Sequence, residues 1–150
     1  MSGTTFARDR SVSEKSEELK ARTEAFAVNV VKFCDTLPNT MAGRRIGQQL
    51  LDAGTSVGAN YRAVCRAYTD GLFVSKLAIV DEEADESEFW FRVIRKTGLK
   101  TVAAVNDLER EAHELASIFS ASLRTARRNR QNKRLARTKS RKCDADSANS

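Results

Sequence analysis

The five residues Gly54-Thr55-Ser56-Val57-Gly58 spell G-x-S-x-G. In α/β hydrolases that string lifts a nucleophilic serine on a sharp strand-to-helix turn, with an acid and a histidine delivered nearby. Here no strand pattern precedes it and it falls inside a helical period, so it predicts no nucleophile. Asp81, Glu82, Glu83, Asp85, Glu86 and Glu88 crowd a second stretch, and clustered carboxylates in a helical bundle raise the question of a di-metal centre, which takes a Glu-x-x-His motif from each of two helices. The one histidine, His113, has Arg110 three residues before it, so the ligand set is incomplete. The acids are expected to form a solvated face or to pair with arginines of the second or fourth helix. No catalytic residue, metal or cofactor is expected.

Cations give the clearest partner signal. Between Arg124 and Lys142 stand ten basic residues and no acid, seven of them arginine. Setting these aside, with Asp144 and Asp146 beyond them, leaves 16 basic and 18 acidic residues, so the body of the chain is close to −2 although the whole carries +6. Arginine suits phosphate recognition through its planar fork of donors, and counterion release would make such binding salt-dependent. The alternative is a solubilising tail with no partner.

The elements that must carry these residues are helices. No stretch alternates apolar and polar residues over a useful length, and the only proline, Pro38, lies between two periodic segments. The first helix is predicted from about Ser13 to Thr36, with Leu19, Phe26, Val30, Phe33 and Leu37 on one stripe and Ser11 with Glu14 at capping-box spacing ahead of it. The second runs from about Thr40 to Ala67, its seam Ile46, Leu50, Ala53, Val57, Asn60 and Val64 spaced 4, 3, 4, 3, 4. Thr69 or Asp70 caps the third, with a seam of Phe73, Leu77, Val80, Ala84, Ser87, Phe91 and Ile94, and Gly98 ends it. The fourth starts near Thr101, with Val105, Leu108, Ala112, Leu115 and Phe119 as its stripe. Short connections between long helices force antiparallel neighbours. The predicted fold is all-α: an antiparallel up-down-up-down four-helix bundle over 13–128, with a flexible N-terminus over 1–12 and a disordered basic C-terminal tail over 129–150, where apolar residues nearly vanish and like charges repel.

Gly43, Gly47, Gly54 and Gly58 lie inside the second helix, where each costs about 1 kcal/mol relative to alanine at an exposed site. They form a stripe about 90° round from the apolar seam, with Arg44, Arg62 and Arg66 on the face opposite the seam. Either another subunit approaches closely there, making the four glycines an oligomer interface, or they fit a tight spot within one bundle. Asn60 is expected to fix register or to be an ordinary hydrogen-bonded residue. Phe89, Trp90 and Phe91 cannot all face one core.

The stretch from Gln49 to Arg62, QLLDAGTSVGANYR, resembles the signature helix of the bacterial four-helix bundle proteins of the 23S rRNA intervening-sequence family. Val80 to Glu86 followed by Phe89-Trp90 is similar to that family's third helix, and Glu111 to Phe119 with Thr125-Ala126-Arg127 to its fourth. The resemblance covers about Phe26 to Arg128 and implies an up-down bundle assembling as a homopentamer. It also implies kinship with the accessory bundle protein of diversity-generating retroelements, a basic pentamer that binds nucleic acid and a reverse transcriptase. Ala63 and Val64 stand where the family has a glutamate followed by a small residue, Leu72 replaces an acid, and His113 corresponds to asparagine. The basic extension past Arg128 is not a general family feature.

The expected function is a non-enzymatic, oligomeric helical bundle that holds RNA or another nucleic acid through Arg44, Arg62, Arg66, Arg124, Arg127, Arg128, Arg130, Lys133, Arg134 and Arg137. The alternative is an interaction scaffold or accessory subunit for a polymerase-type protein. Cys34, Cys65 and Cys143 are odd in number and unpaired in spacing, and neither a secretory apolar run nor a membrane span is present, so a reducing cytoplasm is the expected setting.

Overall fold

The structure, a computed structural model, describes residues 4–147 and the side chains of 14–141. Four helices follow one another: α1 Thr4–Cys34, α2 Met41–Cys65, α3 Asp70–Thr97 and α4 Val102–Ser147. No strand occurs among the described residues. Their punctuation follows the local chemistry. Pro38 and the turn around it separate α1 from α2, and Thr40 caps α2 by accepting from the Gly43 amide at 3.0 Å. Thr69 caps α3 in the same way, accepting from Leu72 N at 3.0 Å. Gly98 closes α3 in the left-handed region at φ 70°, where a residue with a Cβ is strained.

Each helix packs along its chain neighbour, and α1 with α4 closes the ring as the least extensive of the four pairs. Two sets of aromatic contacts brace the core across its diagonals. Phe91 of α3 meets Phe33 and Phe26 of α1 edge-on, with centroids 5.3 and 6.4 Å apart, and Tyr61 of α2 meets Phe119 of α4 at 5.4 Å. Such pairs contribute about 1 kcal/mol beyond their area burial. The two buried polar side chains among the described residues are satisfied by their own helices: Thr23 Oγ1 donates to Leu19 O and Ser87 Oγ to Glu83 O. Across the weaker α1/α4 seam, Arg22 forks onto Glu111 at 2.7 and 2.8 Å and reaches Glu114 at 2.6 Å.

The structure departs from the sequence reading at several points. Of the flexible N-terminus expected over 1–12, residues 1–3 lie outside the described residues, and from Thr4 the backbone is helical. Ser11 and Glu14 therefore fall inside α1 rather than ahead of it, in a stretch with no glycine or proline between Gly3 and the end of the helix. Past the start of the tail expected over 129–150, α4 continues unbroken to Ser147, and residues 148–150 lie outside the described residues. Nucleation is the costly step of helix formation. Here it is complete inside the bundle, and the arginines, lysines, glutamine and alanines that follow propagate well.

The four glycines of α2 are buried, and α1 with the turn after it is what covers them. A Cβ on Gly43 would lie 2.0 Å from Pro38 O, on Gly54 2.8 Å from Val30, on Gly58 3.0 Å from Thr23 O, and on Gly47 3.2 Å from Leu37 Cδ1. Of the two readings of Gly43, Gly47, Gly54 and Gly58, an oligomer interface or a tight spot within one bundle, these contacts fit the second. The close approach they permit is used within the chain, by α1. The glycine stripe and the apolar seam merge into one broad buried face, and this rotates the seam so that Tyr61, not Asn60, enters the core. Asn60 is half-buried and donates to Ser56 O on its own helix. The Gly54 to Gly58 string lies in mid-helix.

Candidate nucleic-acid interface

The basic residues of α4 are arranged by the same 3, 4 spacing that builds the core seam. Arg127, Arg130, Arg134, Arg137 and Arg141 recur at that interval on one continuous helix, so they form a single stripe about 21 Å long at 1.5 Å per residue. All five are exposed, as are Arg124, Arg128 and Lys133. The bundle supports only the start of this stripe. Arg130 lays its guanidinium over the first turn of α3, where a Cβ on Gly71 would be 3.2 Å from Nη2. Lys133 Nζ donates to Asp70 Oδ2 at 2.8 Å. That hydrogen bond and the charge of Lys133, with Arg137 and Arg130 adding to them, hold the Asp70 carboxyl below its ordinary range. Among the described residues no carboxylate lies within ion-pair distance of Arg127, Arg130, Arg134 or Arg137.

The cations of α2 divide between the two ends of the bundle. Arg62 and Arg66, at the C-terminal end of α2, share the end that carries the α2–α3 connection and the basic stretch of α4. Both are exposed, and Arg62 faces Glu24 at 3.6 Å. Arg44 lies at the other end, about 33 Å away along the α2 axis, bonded to Asn39 Oδ1 at 2.9 Å. One basic end therefore unites Arg62, Arg66 and the α4 series, and Arg44 stands apart from it. Sequence reasoning missed the arginine stripe as a stripe, although its spacing was available from the period already used for the seam. It also missed Tyr68, which projects from the α2–α3 connection at the same end, 88% exposed.

In the acid-rich part of α3, among the described residues, no group of three potential metal ligands converges. Asp81 accepts from Ser120 of α4 at 2.5 Å, and Glu88 faces Arg92 and His113. Burial, followed by the repulsion of Glu86 and Glu82, pushes the Glu83 carboxyl up. Of the three adjacent aromatics, Phe91 is in the core. Phe89 is 49% exposed, and Trp90 packs against it with its indole N–H donated to Glu86. No helix among the described residues is long and apolar enough to cross a membrane.

Comparison with known proteins adds to this geometry. A solved structure from Bacteroides thetaiotaomicron, described as a protein with unknown function from the S23 ribosomal protein family, aligns with a TM-score of 0.67 at 27% identity, covering 73% of this chain and 98% of its own. None of the curated proteins matches. The model of the 23S rRNA-intervening sequence proteins matches residues 15–121, so the arginine stripe lies beyond the matched segment. That match reaches into all four helices and covers most of the chain, which therefore belongs to the 23S rRNA-intervening sequence protein family.

Proposed function

We propose that this chain is a non-enzymatic helical bundle of the cytoplasm that self-associates, as a pentamer, and holds RNA or another nucleic acid on its basic end. The observation that carries the reading is the α4 stripe, a row of exposed arginines on a helix that leaves the bundle, set against a body near −2. Phosphate contacts from such a row supply sequence-independent affinity. The family name, with its tie to 23S rRNA, and the ribosomal family name of the solved relative point the same way. Light scattering of the purified chain tests the assembly: a mass near five protomers supports the pentamer, and a monomer refutes it. For the nucleic acid, a filter-binding titration compares the full chain with Arg134→Gln/Arg137→Gln, and undiminished binding by the variant removes the stripe from the account.

A second reading, a scaffold for a polymerase-type protein, draws on the exposed apolar side chains Val28, Val31 and Phe89. Co-purification that survives nuclease digestion favours it.

A further inference from the structure

Tyr68 stands beside the arginines of α4. It belongs to the short connection between α2 and α3, is 88% exposed, and so gives almost none of its ring to the core. A cleft of about 500 Å³ opens there, within the range of roughly 300 to 1,000 Å³ seen for small-molecule sites. Tyr68 and the first residues of α3 form one wall, and Arg130, Arg134 and Arg137 of α4 form the other. Asp70 and Lys133 also line it, but they neutralise each other at 2.8 Å. What remains in the lining is three arginines and one aromatic side chain.

Resting on the nucleic-acid reading above, we propose that this cleft is a subsite for one unpaired nucleotide, its base stacked on Tyr68 and its flanking phosphates held by Arg130, Arg134 and Arg137. The combination selects single strands. A ring can stack only on a base whose face is free, and in a duplex both faces are covered by neighbouring base pairs. Guanidinium groups alone would accept any polyanion. The subsite therefore separates the chemistry of the base from the chemistry of the phosphate on two different elements, the connection and α4, so the two can be removed independently.

The test is fluorescence anisotropy with a labelled twelve-residue oligouridylate, and with a twelve-base-pair RNA duplex and inorganic polyphosphate as competitors. Full-length protein is compared with Tyr68→Ala, Tyr68→Phe and Arg134→Gln/Arg137→Gln. Tyr68→Ala is expected to weaken binding of the single strand about ten-fold, the usual loss on removing a stacking ring, while Tyr68→Phe binds as the parent does. The affinities for duplex and polyphosphate, obtained from competition after allowing for each variant's affinity for the probe, are expected to be unchanged by either substitution at Tyr68 and reduced by the double arginine variant. The proposal is overturned if Tyr68→Ala binds the oligouridylate as tightly as the parent, or loses polyphosphate and oligouridylate in equal measure. If the parent binds none of the three polyanions, the nucleic-acid reading itself fails and the subsite with it.

Discussion

Tyr61 illustrates how much of the behaviour of this bundle is decided at single side chains. It is 7% exposed, and burial together with the neighbouring Cys65 pushes its phenol up to about 12, against about 10 for an unfolded tyrosine. The folded state therefore favours the neutral phenol. Its contribution is whole below about pH 10 and is lost as pH rises toward about 12. Urea unfolding of the parent and of Tyr61→Phe at pH 9 and at pH 11.5 is expected to show the parent losing more stability than the variant across that window. Parallel losses would contradict the assignment. Cys34 follows the same logic. Burial, then the charge of Asp35, pushes its thiol up to about 11, and thiolates, not thiols, are the nucleophiles. Native protein treated with iodoacetamide at pH 8 is expected to be modified at exposed Cys65 well before Cys34, a difference that unfolding abolishes; equal native rates read by peptide mass spectrometry would argue against the buried position.

At the level of elements, the sequence disclosed the helices and most of the core because burial on one flank imposes a period. Leu50, Val57, Val80, Phe91, Leu115 and Phe119 all fall where their spacing puts them. It left open what depends on a neighbour's identity. The glycine stripe announced a close approach, but nothing in the period says whether the approaching backbone belongs to the same chain; here it is α1. Gly58→Ala is expected to cost about 2 kcal/mol, because the new methyl meets Thr23 backbone at 3.0 Å and overpacking against a fixed group outweighs the helical preference for alanine. Gly47→Ala meets only the movable end of Leu37 and is expected to change stability by less than about 1 kcal/mol. Chemical denaturation of the two variants distinguishes them, and equal effects would count against the α1 contact as described. Past 129, low hydrophobicity and like charge favour disorder in an isolated segment, while here the segment is joined to a finished helix. Its repeated arginines still oppose one another by about 0.2 to 0.5 kcal/mol per adjacent pair. Hydrogen exchange of the amides beyond Lys133 is therefore expected to be fast in the free protein and to slow when a polyanion neutralises the stripe. Protection that does not change would separate the helix from any binding role.

For the molecule as a whole, the division of charge matters more than the total. The four-helix body, near neutral and slightly acidic, carries the family fold, and the cations are gathered on the far stretch of α4 with Arg62, Arg66 and Tyr68 beside them at the same end. The candidate site was half legible: the sequence named the cations but could not gather Arg62 and Arg66 with the α4 series or set Arg44 apart, since that requires knowing which helix ends meet. The central claim is that this basic end holds nucleic acid through phosphate contacts, and the salt dependence of oligouridylate binding by the full-length chain tests it most directly. Measurable binding is expected at 50 mM salt, with a logarithmic plot of the binding constant against salt concentration falling with a slope of about −0.7 for each phosphate neutralised, hence about −2 to −3.5 for three to five arginines. No binding at low salt, or an affinity indifferent to salt, would contradict it.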